Sequence, residues 1–246
     1  MALAVIADIH GNLSALDAVL ADIARRGVSR TVNLGDCLSG PLDARGTADR
    51  LIALDLPTVR GNHDRQLVDR SADRMGLWER WCIEDLDQSH LDWVRDLPPV
   101  LEVDGALLCH GTPESDETNW LDERDGTGLV LRPAEEIAVK VAGLPQSLFL
   151  SAHTHVPRVV RLWDGRLCVN PGSVGCPAYA DTRLDPPFRM ETGAPDARYA
   201  VVERTGDTWS ATLIAVPYDT TPMVTLAEKK GADDWVHALT TGRVPL

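Results

Sequence analysis

Five short polar motifs, each closing an apolar stretch, constrain this chain more than any other feature. They read Asp8-Ile9-His10, Gly35-Asp36, Gly61-Asn62-His63-Asp64, His110-Gly111 and His153-Thr154-His155. The stretches before them end at Ala7, Leu34, Arg60, Cys109 and Ser151 and read as strands. In open α/β sheets the functional loops gather at the carboxyl ends of strands, so the motifs are expected to converge. They would bring together carboxylates, imidazoles and an amide oxygen without thiolate. Such a set suits Mn, Fe, Zn or Ni better than Ca or a structural Zn. Asp8 and His10 are two residues apart, so an extended turn lets both face one ion. Asp36 has two carboxylate oxygens and can bridge two cations about 3.5–4 Å apart.

Between the motifs, strands and helices alternate. Residues 2–7 read as a strand, and Ser14 to Arg26 as an amphipathic helix with Leu16, Val19, Leu20 and Ile23 on one face and Gly27 as its stop. A strand at 31–34, a helix at 45–54 and a strand at 57–60 follow, an order that implies a largely parallel sheet with right-handed crossovers. Residues 64–97 read as helical throughout, a cap-like segment. Strands are expected at 99–103 and 106–109, then an acidic loop over 113–128 and a helix opening near Pro133. Further strands fall at 147–151, 157–162 and 166–169. A long Pro/Gly-rich loop at 171–196 precedes a hairpin over 198–216 and a helical tail from 221 to 241. The expectation is an α/β fold, a two-sheet β-sandwich flanked by helices, forming one domain over residues 1–246 with a small helical cap region.

Composition excludes several classes. A net charge of −13, with no basic stripe, argues against binding long nucleic acid. Two bound divalent cations would locally offset about four of those charges, so a small phosphoester remains an acceptable substrate. No apolar run reaches the roughly 18 residues needed to span a bilayer. Leu3 to Ala7 is too short for a secretory signal, which points to the cytoplasm. Cys37, Cys82, Cys109, Cys168 and Cys176 are odd in number and lack CxxC spacing, as expected of buried free thiols. An apolar edge on the C-terminal hairpin is the one hint of a homodimer.

The series DxH, GD, GNHD, HG and HxH over residues 8–155 resembles the calcineurin-like metallophosphoesterase superfamily. Asn170-Pro171-Gly172-Ser173-Val174-Gly175 resembles its compact bacterial and archaeal phosphodiesterase-like group. The resemblance implies a two-sheet sandwich, one metal held by Asp8, His10, Asp36 and His155, and a second held by Asp36, Asn62, His110 and His153. Manganese is the favoured ion, with Fe, Zn, Ni and Co as alternatives. His63 matches the residue that stands beside the metals and protonates the leaving oxygen, with Asp64 a candidate to orient it. Ala152 and Cys109 stand where the family commonly has glycine before a histidine, implying a slightly narrower pocket with metal binding intact.

The implied activity is a dinuclear-metal phosphoesterase. Two cations neutralise the ester's charge and generate a hydroxide that attacks phosphorus, while His63 serves as general acid. A phosphodiesterase acting on small nucleotide-like diesters is favoured. A phosphomonoesterase, a protein phosphatase, a dinucleoside-polyphosphate hydrolase and a catalytically silent metal-bound scaffold are the alternatives. Two further residues carry two readings each. Asn12 either donates to a phosphate oxygen or caps the following helix, and Arg65 contacts either phosphate or a surface carboxylate. Trp78, Trp81 and Trp93 read as the apolar face of cap helices before a nucleobase platform. The acidic run 114–125 reads as a solvated loop before a gate.

Overall fold

The computed structural model describes residues 1–182 and 184–245. The first elements are β1 (Ala2–Ile6), α1 (Leu13–Arg25), β2 (Thr31–Asn33), α2 (Ala44–Leu54), α3 (Asn62–Asp69), α4 (Leu77–Cys82) and α5 (Gln88–Asp96). The middle of the chain forms β3 (Val100–Val103), β4 (Ala106–Cys109), β5 (Asp122–Asp125), β6 (Gly128–Leu131), α6 (Ala134–Val139), β7 (Leu148–Leu150), β8 (Arg158–Arg161) and β9 (Leu167–Asn170). It closes with β10 (Ala178–Asp181), β11 (Phe188–Glu191), β12 (Ala197–Thr205), β13 (Thr208–Val216), α7 (Thr221–Lys229) and α8 (Asp233–Thr241).

Two sheets make the body, in the orders β13-β12-β1-β2 and β3-β4-β7-β9-β8. Side chains alternate across each strand, so the central strands serve two cores. Leu3 and Val5 of β1 meet Leu108, Leu148, Leu150, Val169 and Trp209 between the sheets. Ala4 and Ile6 face outward onto Leu16, Val19 and Ile23 of α1. The outer face of the second sheet, with Leu107, Phe149 and Cys168, is covered by Trp120, Ile137 and Val141. Each large apolar side chain withdrawn from water in this way contributes about 1.5–3 kcal/mol. The result is the two-sheet sandwich flanked by helices.

The structure departs from the sequence reading in four places. The first sheet is mixed, because the β12–β13 hairpin returns to pair antiparallel with β1 while β2 pairs parallel on its other side. The stretch 57–60 makes one parallel bridge, Asn33 to Thr58, and no strand. Pro57 accepts from Asn33 N but has no amide hydrogen to return. The segment 64–97 is divided into three α-helices and two short 3-10 turns, with Gly76 at the N-cap of α4 and Asp87 capping α5 through Ser89 N and His90 N. Finally, both long loops contain hairpins: β5–β6 begins inside the acidic run, and β10–β11 lies within 171–196. Residues 183 and 246, which belong to that long loop and to the C-terminal tail, lie outside the described residues. Among the described residues no helix is long and apolar enough to cross a membrane.

Candidate metal centre

The five motifs converge at the carboxyl ends of β1, β2, β4 and β7 and at the amino end of α3. Asp8, His10 and His155 offer ligand atoms all within 4.8 Å of one another, and Asp36, His110 and His153 form a second such group. Asn62 joins the second, its Oδ1 lying 3.1 Å from His110 Nε2 and 2.9 Å from His153 Nδ1. Asp36 Oδ2 stands between the groups, 3.2 Å from His110 Nε2 and 4.0 Å from His10 Nε2. Asp8 Oδ1 is similarly shared, 3.6 Å from His155 Nε2 and 3.9 Å from His110 Nε2.

The backbone is strained to achieve this. Among the described residues seven non-glycine residues have positive φ, and five of them are Asp8, His10, Asp36, His153 and His155. The left-handed region is unfavourable for such residues, and strain of this kind persists only where the surroundings over-determine it. The surroundings can be named. Asp64 accepts from Asp36 N and Cys37 N, both at 2.8 Å, and from Gly61 N at 3.1 Å, fixing the turn that carries Asp36. His63 N then holds Asp36 Oδ1 at 2.9 Å, so that Oδ2 turns to the centre. A Cβ on Gly61 would collide with Asp36 Oδ1, and one on Gly175 with Ile9 O. The Asn170–Gly175 loop ties down the β1 turn: Ser173 Oγ donates to Asp8 O at 2.7 Å and Gly175 N donates to Asp8 O at 3.0 Å.

The donor chemistry fits divalent cations. His10 Nδ1 donates to Ser39 O, His155 Nδ1 to Cys176 O and His110 Nδ1 to Leu34 O, so in the neutral rings each Nε2 presents a lone pair. His10 Nε2 and His155 Nε2 then face each other at 3.2 Å, acceptor against acceptor. Both oxygens of the completely buried Asp8 lack a hydrogen-bond partner. Leaving such groups unpaired is costly unless a cation lies among them. Burial lowers His10 to about 4, and burial with the neighbouring His110 does the same to His153. Burial also pushes His155 well down and Asp8 well up. His110 is the exception: burial opposes its protonation, but the adjacent Asp36 outweighs burial and raises it to about 10. A proton on His110 is thus the positive charge that the chain itself can set against Asp36, and a divalent cation would take over that role. Neutral imidazoles and ionised carboxylates are the states in which these groups bind metal.

Exposure divides the centre. Asp8, His10 and His155 are buried at 0–3% relative exposure, whereas His153 is half-buried and the His63 side chain is 26% exposed. The more open side of the centre is therefore that of His63 and His153.

Several expected partners are placed differently. Asp64 faces the backbone turn, and the acceptor on His63 Nδ1 is Glu79 Oε1 at 2.5 Å. Burial opposes protonation of His63, but Asp36 and Glu79 together raise its pKa. Asn12 is taken up by the fold: Oδ1 caps α1 at Ala15 N, while Nδ2 donates to Gly175 O and Tyr218 Oη. Arg65 makes a bidentate contact to Asp116 at 2.6 and 3.0 Å and a further one to Glu117 at 2.8 Å, so its guanidinium is engaged by carboxylates. The acidic run thereby docks on α3. Cys109 and Ala152 belong to buried apolar clusters. The tryptophans separate: Trp78 stacks on His63, Trp81 packs with α7 and α8, and Trp93 packs on the α1 core. Glu79 could not be singled out in the sequence, where it is one acidic residue in a helical stretch. Asp122 was hidden in the same way, buried at the start of β5 and held by Arg158 Nε at 2.8 Å and Thr154 Oγ at 3.3 Å.

A clustered set of imidazoles and carboxylates at the strand ends of a two-sheet sandwich is suited to holding divalent cations. The chain belongs to the calcineurin-like phosphoesterase superfamily, whose domain model matches residues 1–185. It is similar to an uncharacterised protein of Methanocaldococcus jannaschii, with 28% identity over 193 residues, 71% of this chain and 76% of that protein. The crystal structure of a metallophosphoesterase from Sphaerobacter thermophilus matches with a TM-score of 0.74 and 25% identity, over 98% of this chain and 100% of that one. A hypothetical protein from Pyrococcus horikoshii OT3 matches with a TM-score of 0.78 and 19% identity, over 99% of both chains, which speaks to the fold.

Proposed function

We propose that the protein is a phosphodiesterase for small, nucleotide-like diesters. Asp8, His10, Asp36 and His155 would hold one divalent transition-metal ion, and Asp36, Asn62, His110 and His153 the other, with manganese favoured. When bound, the ions would neutralise the ester's charge and lower the pKa of an attacking water. His63, on the exposed side, donates a proton to the leaving oxygen, with Glu79 Oε1 accepting from its Nδ1.

The observation that carries the diester preference is Arg65. A monoester dianion needs more cationic help than a diester monoanion. The arginine that directly follows the GNHD motif is bound to Asp116 and Glu117, so it offers no such help. The test is hydrolysis of bis-p-nitrophenyl phosphate against p-nitrophenyl phosphate by protein loaded with Mn. We expect higher kcat/KM on the diester, lost on chelation and recovered when Mn is restored. A preference for monoesters across several leaving groups would overturn the substrate class. No turnover with Mn, Ni, Co or Zn would favour the silent scaffold.

A further inference from the structure

We propose that α4 is a clamp for the His63 imidazole, in which Glu79 fixes the ring's tautomer and Trp78 fixes its plane. The proposal rests on His63 being the proton donor. Two consecutive residues of one short helix meet the same ring from different sides. Glu79 is 1% exposed, and its Oε1 lies 2.5 Å from His63 Nδ1. Trp78 lies flat on the imidazole, with centroids 5.1 Å apart and planes at 18°. The tryptophan also makes T-shaped contacts with His10 and Trp235, each with centroids 5.0 Å apart, so it cannot slide from the stack without disturbing both.

The helix is itself tied to the centre. Gly40 N donates to Trp78 O at 3.1 Å, and the residue before Gly40 is Ser39, whose carbonyl accepts from His10 Nδ1. The clamp and the second coordination layer of the proposed metal site are therefore one continuous piece. This gives the interruption of the helical run 64–97 a purpose. An unbroken helix could not turn back to place residues 78 and 79 against residue 63.

A buried carboxylate is a poor choice for packing, because burying its charge costs free energy that an apolar residue would not lose. A fixed acceptor, however, is what a proton donor needs on its far nitrogen. With Glu79 accepting from Nδ1–H, the proton to be transferred sits on Nε2. As the P–O bond to the leaving group breaks, its electron pair stays on the leaving oxygen, which takes the Nε2 proton. The oxygen of water forms the new P–O bond, and the proton that water gives up passes to solvent. His63 is left neutral, with Nδ1–H still donated to Glu79, and is afterwards reprotonated from solvent. Both α4 residues are positioning residues, acting on substrate only through His63.

The experiment is a double-mutant cycle on Mn-loaded full-length protein, using aryl phosphodiesters with a good (nitrophenolate) and a poor (phenolate) leaving group. His63→Ala should lower kcat by about 10²–10⁴ on the poor leaving group and less on the good one. Glu79→Gln is isosteric, but its amide can present either end to Nδ1. It should lower kcat roughly 10- to 100-fold with the same leaving-group bias, with KM and metal content unchanged. Added to His63→Ala, it should cost nothing further. Trp78→Phe, which keeps a flat ring, should retain most of the rate that Trp78→Ala loses. If His63→Ala is slow but Glu79→Gln matches wild type, the clamp is overturned and the acid role stands. An additive double mutant, or loss of metal in Glu79→Gln, makes Glu79 a packing residue and also overturns it. If His63→Ala leaves kcat intact, the acid role fails and the clamp falls with it.

Discussion

Two buried aspartates lie at opposite ends of the first turn-and-helix unit, and they behave in opposite ways. Asp8, just past β1, is completely buried, and neither of its oxygens has a partner. Asp22, near the end of α1, is buried too, but Arg25 holds Oδ1 at 2.6 Å, Arg26 holds Oδ2 at 2.7 Å and the Tyr199 hydroxyl donates to Oδ2 at 2.6 Å. Burial raises the pKa of Asp8. For Asp22 burial acts the same way, but the hydrogen bonds from Tyr199 and Arg26 outweigh it and lower the pKa. Residue type is shared and Asp8 is the more deeply buried, and the partner set further separates a structural carboxylate from one suited to a cation.

The most damaging way to probe the contrast is at the proposed bridge. Asp36→Ala should reduce hydrolysis to background and remove metal from both sites. Mass-spectrometric metal analysis that still finds two tightly bound ions would refute the ligand assignment. Asp8→Asn should also abolish most Mn-dependent activity, yet the metal-free variant should melt at a higher temperature than metal-free wild type, because the penalty of keeping a buried, unpartnered carboxyl with a raised pKa at neutral pH is gone. A lower melting temperature would mean that the Asp8 charge is satisfied by the chain itself.

Asp22→Asn should do the reverse, losing about 1–3 kcal/mol of stability in urea titration while kcat and metal content stay at wild-type values. Its pH dependence has a definite sign. The folded-state pKa lies below that of the unfolded chain, so the stabilisation is complete above the ordinary aspartate range of about 3.9 and fades as pH falls through the lowered value. The smallest effect is expected at Asn12→Ala, about 0.5–2 kcal/mol from the lost cap of α1, with KM unchanged. A raised KM would return Asn12 to the substrate.

The ligand motifs were legible because each is a local event, a polar cluster at the end of an apolar run, and strand ends gather whatever the loops between them do. The sandwich was legible from the order of the elements and from the family that the motifs resemble, and β1, β4 and β7, apolar on both faces, need a cover on each. The hairpin β5–β6 was not. Asp122-Glu123-Arg124-Asp125 has the composition of a solvated loop, and Asp122 is buried only because Arg158 and Thr154 arrive from 36 and 32 residues away.

The same distinction runs through the site. The sequence by itself determined which side chains form the candidate centre and that their donors are oxygen and nitrogen, because motif spacing and strand termination are properties of neighbouring residues. Only the tertiary structure decided what those side chains lean on. It set Asp64 on the Asp36 turn, Glu79 on His63, Arg65 on the acidic loop and Asn12 on Gly175 and Tyr218. These partners are 16 to 206 residues apart in the chain. A hydrogen bond is specified by the positions of two atoms, and for residues so far apart those positions exist only once the sheets have packed.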